Sequence, residues 1–337
     1  MRRVPRGGRR FPAVAATLLA LLLAGCAGQS RLVDTTGPAG LPPKVELTAT
    51  PFHPQSDQQC GPAALATVLG AAGRDVLPAS LSQEIFLPGR QGTLQPEIVA
   101  AIRARGLLPY ELEGDLTTLF AEVAAGRPVL VLQRQGFGPW PAWHYAVVVG
   151  YDATRDVVTL RSGTRERLQL RAAVFDATWA RADRWAIVAL APGTLPARTD
   201  LTRYLRAAAG LEATRQYDEA RAAYAAAVAQ WPYEPLPRLG GANVEAALGH
   251  WREAEHGYAE VLRLAPGLAA AINNRAEALS RLGCRTLALR VLDDGAARLA
   301  PDEPLRVALS RTLAAIEASP ALPAGSEPAL CAQLQVR

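Results

Sequence analysis

The hydrophobic pattern divides the chain into a mixed part and a helical part. In the mixed part, apolar residues recur at helical spacing over residues 60–72, 94–105 and 115–125. Short apolar runs typical of strands follow at residues 129–133, 145–151, 157–160 and 185–190. Helices that precede clustered strands favour an α+β domain over alternating βαβ units. We therefore predict an α+β domain with an antiparallel sheet over residues 44–192.

Beyond the Pro- and Gly-containing segment 192–196, the pattern is helical and repeats every 34 residues. Small residues keep this step in two series, Ala208, Ala242, Ala276 and Ala220, Ala254, Ala288. The period resembles the tetratricopeptide repeat, a helix-turn-helix unit that stacks into a solenoid. The resemblance implies three repeats over residues 199–302, followed by a capping helix and tail over residues 303–337. The Pro-rich tail from Ser319 is expected to be poorly ordered.

The start of the chain combines basic residues, an apolar run and a cysteine. Five arginines lie within residues 2–10, residues 13–24 are apolar, and small residues precede Cys26. The apolar run is too short to span a membrane and is typical of a secretory signal. It also resembles the bacterial lipoprotein signal, which implies removal of residues 1–25 and lipidation of Cys26. Residues 26–43 would then be a tether.

This resemblance predicts a location in the bacterial cell envelope. The lipid on Cys26 would hold the protein in a membrane, and the residue that follows favours the outer membrane, facing the periplasm. The alternative is ordinary secretion with Cys26 left as an unmodified thiol.

Removal of the predicted signal would change the net charge of the chain. The full chain has 36 basic and 31 acidic residues, a net charge of +5. The signal holds five of the basic residues and none of the acidic ones, so 31 of each remain. This balance gives no reason to expect a nucleic-acid partner. No Cys/His cluster has the spacing of a zinc site, so we expect neither a metal nor another cofactor.

Two residues of the mixed part carry candidate chemistry. Cys60 begins a helical pattern, and the N-terminus of a helix favours the thiolate form of a cysteine. His144 comes at the start of an apolar strand pattern, where it can act as a base toward a thiol. The alternatives are a buried structural cysteine and a core histidine. Cys284 and Cys331 can pair in an oxidising compartment, which would leave Cys60 as the free thiol.

The motifs Q-x(4)-CGPA and WHYAVVVGYD resemble the papain-like fold, in particular the double-glycine leader (bacteriocin-processing) cysteine peptidases. The resemblance covers residues 45–190 and implies that Cys60 is the nucleophile and His144 the base. It also implies an oxyanion hole formed by the Gln55 side chain and the backbone N–H of Cys60. Cleavage after small residues, Gly or Ala, is implied as well.

The sequence departs from that family at two positions. The glutamine usually precedes the cysteine by six residues, whereas Gln55 precedes Cys60 by five. Ser162 stands where an aspartate usually orients the histidine. We favour Ser162 over the nearby Asp152 for this role, because Asp152 is more simply a turn residue. The segment 135–142 is rich in Gly, Pro and aromatic residues, and either covers one side of a cleft or shapes a turn.

Three functions are open at this point. The first is a lipid-anchored cysteine peptidase that cuts a peptide or protein substrate while the repeats dock a protein partner. The second is a scaffold or assembly lipoprotein whose peptidase-like domain has weak or no activity. The third is a papain-type amidase or acyl transferase that acts on cell-wall peptides. The ATP-binding motif GxxxxGK[ST] does not occur in the sequence, so we expect no exporter module of the kind found in the leader peptidases.

Overall fold

The computed structural model describes residues 40–55, 59–137, 140–319 and 327–335. The predicted signal, Cys26 and most of the predicted tether lie outside these residues. Pro42 and Pro43 already contact the folded domain, because their carbonyl groups accept hydrogen bonds from Tyr151 Oη and from the backbone N–H of Ala153. No helix in the described ranges is long and apolar enough to cross a membrane.

Within the described residues, seven strands form one sheet in which all the pairs are antiparallel. The strands are β1 (Lys44–Glu46), β2 (Leu108–Glu111), β3 (Val129–Phe137), β4 (Trp140–Asp152), β5 (Val157–Ser162), β6 (Arg165–Arg171) and β7 (Ala186–Leu190). Their order is β2-β7-β3-β4-β5-β6, and β1 pairs with the end of β4. The predicted α+β fold with an antiparallel sheet is confirmed.

Five helices cover the two faces of this sheet. They are α1 (Cys60–Ala71), α2 (Pro78–Ile85), α3 (Gln95–Arg103), α4 (Leu116–Ala124) and α5 (Ala172–Ala180). The alternation along β3 explains the two faces. Leu130 and Leu132 pack with α1, α2 and α3, whereas Val131 packs with α4 and α5. Asp115 begins α4 as its N-cap and accepts a hydrogen bond from the Thr118 backbone N–H at 2.8 Å.

The second part of the chain consists of consecutive helix pairs. They are α6 (Leu201–Ala213), α7 (Tyr217–Gln230), α8 (Pro235–Ala247), α9 (Trp251–Leu264), α10 (Ala269–Arg281) and α11 (Arg285–Ala296). Ala220, Ala254 and Ala288 are fully buried between helices, as expected for small residues that allow a close approach. The predicted helical repeat architecture is confirmed, and the final helices are α12 (Arg306–Ala318) and α13 (Ala329–Gln335).

The expectation of a poorly ordered tail is wrong for residues 327–335. Helix α13 packs against the last repeat because Cys331 forms a disulfide with Cys284, and both residues are buried. The Glu327 carboxylate also accepts a hydrogen bond from the Thr286 backbone N–H at 2.7 Å. The pairing of Cys284 with Cys331 leaves Cys60 as the free cysteine of the described residues.

The sheet and the first repeat share one hydrophobic core. Tyr204 of α6 is fully buried and lies 6.4 Å from Tyr110 of β2, measured between ring centroids. Tyr110 Oη accepts a hydrogen bond from the Asp200 backbone N–H at 3.2 Å. The buried carboxylate of Glu122 accepts a hydrogen bond from the Ala197 backbone N–H at 2.6 Å. These contacts dock the first repeat against β2 and α4.

Candidate active site

Cys60 is the first residue of α1, directly after the N-cap residue Gln59. Its position exposes the thiol to the unpaired N–H groups of the first helical turn, which favour a negative charge. No acidic residue lies in that turn to offset the effect. The side chain is half-buried and faces a cleft. Cys60 therefore lies at the N-terminus of a helix, between a hydrophobic core cluster and the cleft.

His144 reaches the same cleft from β4 and forms a hydrogen bond with Ser162. Its Nε2 atom lies 2.8 Å from Ser162 Oγ, and the residue lines the cleft together with Cys60. Ser162 ends β5 and is 7% exposed, so its hydroxyl is held by the sheet. His144 does not begin its strand as predicted. Strand β4 starts at Trp140, because the hairpin with β3 continues to the Phe137–Trp140 pair.

Asp152 does not take part in this arrangement. It lies eight residues beyond His144 on β4, roughly 26 Å away at about 3.3 Å per residue. Its carboxylate accepts hydrogen bonds from the Thr154 side chain at 2.7 Å and from the backbone of Thr154 and Arg155. These bonds make it a turn residue, as the sequence favoured. Of the two candidates, the structure places Ser162 against the imidazole.

Burial lowers the pKa of His144. A half-buried imidazole holds its charge less well than one in water, and Ser162 provides a dipole rather than a negative charge to compensate. The neutral ring is therefore favoured while the thiol is protonated. Burial raises the pKa of the neighbouring Tyr145 phenol, and the negative charges of the Cys60 thiolate and the Glu97 carboxylate raise it further. The phenol stays protonated, and Tyr145 is one of the buried residues that line the cleft.

Gln55 lines the cleft although its spacing from Cys60 is one residue shorter than in the family. Its backbone N–H donates to the Gly163 carbonyl at 3.1 Å, which ties it to the turn that follows Ser162. Its side-chain Oε1 is buried with no hydrogen-bond partner among the described atoms. The side chain is thus held at the cleft, where an oxyanion would accept a hydrogen bond from its Nε2 and not from the unpartnered Oε1.

The cleft has a volume of about 630 Å³, within the range of sites that bind small molecules or short peptides. One wall is the segment 90–95, which joins a short 3₁₀ turn (Pro88–Arg90) to α3. The other wall is the β3–β4 hairpin, including Gln135 and Trp143. Gln135 and Ala142, the two ends of the predicted segment 135–142, therefore do line a cleft, as residues of paired strands. No three His, Cys, Asp or Glu side chains in the described ranges gather as metal ligands.

Thr93 is a cleft residue that sequence reasoning missed. A Cβ atom on Gly61 would lie 2.6 Å from the Thr93 side chain, so the glycine after the nucleophile allows this close approach. Thr93 Oγ1 is buried and has no hydrogen-bond partner among the described atoms. Leu94 and Trp143 were also missed. Trp143 directly precedes His144 in the strand pattern, whereas nothing in the sequence pattern marks segment 90–95.

Residues 47–187 match the model of the Peptidase_C39 like family. The match includes Gln55, Cys60, His144 and Ser162. It supports a peptidase-like domain in the first part of the chain. None of the curated proteins matches the sequence.

Solved structures resemble the two parts separately. A protein from Bacillus anthracis described as a C39-like peptidase is 21% identical, with a TM-score of 0.38, covering 44% of this chain and 97% of its own. The peptidase domain of Streptococcus ComA, a quorum-sensing ABC transporter, is 23% identical, with a TM-score of 0.36 and coverage of 42% and 98%. The TPR2B domain of yeast Sti1, solved with pHsp70, is 16% identical, with a TM-score of 0.33 and coverage of 35% and 95%.

Proposed function

We propose that the first part of the chain is a cysteine peptidase that hydrolyses peptide bonds through an acyl-enzyme on Cys60. The observation that carries the proposal is the 2.8 Å contact between His144 Nε2 and Ser162 Oγ, in the cleft that Cys60 also lines. This contact orients the ring and leaves Nδ1 for the thiol. The family match over residues 47–187 supports the same reaction class.

The reaction follows from the positions of these groups. His144 Nδ1 takes the proton of Cys60, and the thiolate attacks the carbonyl carbon of the scissile bond. The oxyanion that forms accepts hydrogen bonds from the Gln55 amide and the Cys60 backbone N–H. The imidazolium then gives its proton to the leaving amine. Water, deprotonated by the same ring, hydrolyses the thioester and restores the thiol.

Ser162, which orients the His144 ring, determines how readily the thiol of Cys60 and this ring form an ion pair. Ser162 holds the imidazole by a neutral hydrogen bond, which stabilises the imidazolium less than a carboxylate would. Cysteine tolerates this better than serine would as a nucleophile, because a thiol ionises more easily than a hydroxyl. We therefore propose an active enzyme whose thiolate–imidazolium pair is less populated at neutral pH than in relatives with an aspartate.

The proposal includes a location and a partner. Lipidation of Cys26 would anchor the protein in the cell envelope, facing the periplasm, and the sequence of the signal supports this. The repeats would dock a protein or peptide partner, because stacked helical repeats provide an extended surface. Metabolic labelling with an alkyne fatty acid tests the anchor. A band that persists in the Cys26→Ala protein would contradict it.

Labelling with a fluorescent thiol-reactive probe tests the catalytic pair. Cys60 should label rapidly in the whole protein and much more slowly in the His144→Ala protein, since the ring no longer takes up its proton. Peptide products, identified by mass after incubation with unfolded protein, should disappear in the Cys60→Ala protein. Equal labelling with and without His144 would contradict an activated thiol.

A second candidate is a scaffold lipoprotein with a weak active site. The neutral Ser162 and the burial that lowers the pKa of His144 favour it, since both disfavour the imidazolium. Expression of the Cys60→Ser protein in a deletion strain separates the two functions. Full rescue would support the scaffold, whereas no rescue would support the enzyme. Products released from cell-wall peptides, rather than from unfolded protein, would point to the amidase or acyl transferase.

A further inference from the structure

Two large apolar side chains that line the cleft are exposed. Leu94 is 40% exposed and belongs to the segment that leads into α3, whereas Trp143 is 55% exposed and belongs to β4. Exposed apolar groups of a concave site lose their contact with water only when a ligand packs against them. The guanidinium of Arg134 lies 5.9 Å from the centre of the Trp143 ring and supports it from its neighbouring strand.

The backbone beside Trp143 is open to an extended peptide. Strand β5 pairs with β4 only from Val147 onward, so the part of β4 around Trp143 pairs with β3 on one side and borders the cleft on the other. A strand edge in this position can pair with a substrate backbone. On the opposite wall, the buried hydroxyl of Thr93 has no partner among the described atoms and can bond the same backbone.

The charges of the cleft lining disfavour one class of substrate residue. Among the described residues that line the cleft none is acidic and Arg90 is basic, although the Glu97 carboxylate lies close enough to Tyr145 to raise the pKa of its phenol. A lysine or arginine side chain would therefore lose its hydration without gaining an ion pair. A glycine or alanine would leave most of the exposed apolar area of Leu94 and Trp143 uncovered.

We propose that the substrate is an extended peptide with a large apolar residue next to the scissile bond, held between Leu94 and Trp143. This inference rests on the proposed peptidase function. It differs from the preference for Gly or Ala that the double-glycine resemblance implies. Leu94 and Trp143 are the specificity residues, and Thr93 holds the substrate backbone.

Cleavage of a small set of quenched fluorescent peptides by the whole chain tests the proposal. The peptides differ only in one residue next to the scissile bond, which is Leu, Phe, Ala, Gly or Lys. We expect kcat/KM for Leu and Phe to exceed that for Ala by about tenfold or more. Leu94→Ala should reduce this ratio about tenfold. Leu77→Ala is the matched control, because Leu77 is 70% exposed and does not line the cleft.

Binding to the inactive Cys60→Ala protein separates this inference from the proposed function. Fluorescence anisotropy with the labelled Phe and Gly peptides should show tighter binding of the Phe peptide. If the wild-type protein cleaves nothing but this preference is found, the peptidase function is wrong and the apolar site stands. If the protein cleaves the Gly or Ala peptide best, or the Cys60→Ala protein binds the Phe and Gly peptides equally, the inference is overturned.

Discussion

Replacement of Ser162 perturbs the contact on which the proposed chemistry depends. Ser162→Ala removes the hydroxyl that lies 2.8 Å from His144 Nε2. A neutral hydrogen bond contributes about 1 kcal/mol, so the population of His144 rings in the productive orientation should fall about fivefold. Ser162→Asp places a carboxylate beside the same atom. An adjacent opposite charge shifts a pKa by about 1–3 units. At the lower end of that range, the aspartate should increase the population of charged His144 rings about tenfold.

The sign of the change follows from the pKa of the ring. Burial lowers the pKa of His144, so the imidazolium loses its proton at a lower pH than a free imidazole does. The thiolate–imidazolium pair exists only while the ring is protonated, so in the wild-type protein this pair is lost early as the pH rises. An aspartate raises the pKa of His144 and extends the pair to higher pH. At lower pH the aspartate also favours the Cys60 thiolate, because it keeps the His144 ring charged and the charged ring stabilises the thiolate.

The rate of Cys60 alkylation by iodoacetamide between pH 5 and 9, followed by mass spectrometry, measures this effect. At pH 6.5 we expect Ser162→Asp to react about tenfold faster than the wild type and Ser162→Ala about fivefold slower. The double variant His144→Ala, Ser162→Asp is the control and should lose the gain. If Ser162→Asp folds normally and its profile matches that of the wild type, Ser162 does not govern the ionisation of the ring.

Three further predictions concern the framework. Cys284→Ser removes the disulfide with Cys331, which closes a loop with a sequence separation of 47. The helical part should lose about 4 kcal/mol of stability in urea unfolding, and an unchanged midpoint would contradict this. Arg127→Ala should cost about 3 kcal/mol in thermal unfolding, because it leaves the fully buried Glu122 carboxylate without its counter-charge. Glu122→Ala should cost less, at least about 1 kcal/mol, because the partly exposed Arg127 can be hydrated while the Ala197 backbone N–H loses its acceptor. Gly240→Ala should cost about 1–3 kcal/mol, since its Cβ would lie 2.3 Å from the Tyr224 ring, and the neighbouring Gly241→Ala, 3.9 Å away, should cost less.

The parts of the fold that the sequence predicts are those with a strong period. The core helix from Cys60 and the buried strands have apolar patterns with few interruptions, and the 34-residue unit occurs three times. β6 was missed because its sequence, RERLQLR, is mostly charged or polar and only half-buried. β2 was missed because it is four residues long and contains a proline.

The sequence predicts Cys60 and His144 as residues of the candidate site but does not predict that segment 90–95 lines it. Cys60 and His144 stand out because each breaks an apolar pattern at a place where the backbone favours its chemistry. Segment 90–95 has no such signal, because it is held by a short turn and by a bridge between Leu87 and Gly92. Its place beside Cys60 depends on tertiary packing against Gly61, which spacing along the chain does not encode.

The position of α3 connects the cleft with the repeats. Its N-terminal end follows Thr93 and Leu94, which line the cleft, and its C-terminal end carries Arg103. The Arg103 guanidinium packs so closely on α6 that a Cβ atom on Gly210 would lie 2.5 Å from it. One helix of 9 residues therefore contacts both the substrate wall and the first repeat. A partner that shifts the first repeat would therefore disturb the packing of Arg103 at the C-terminal end of α3.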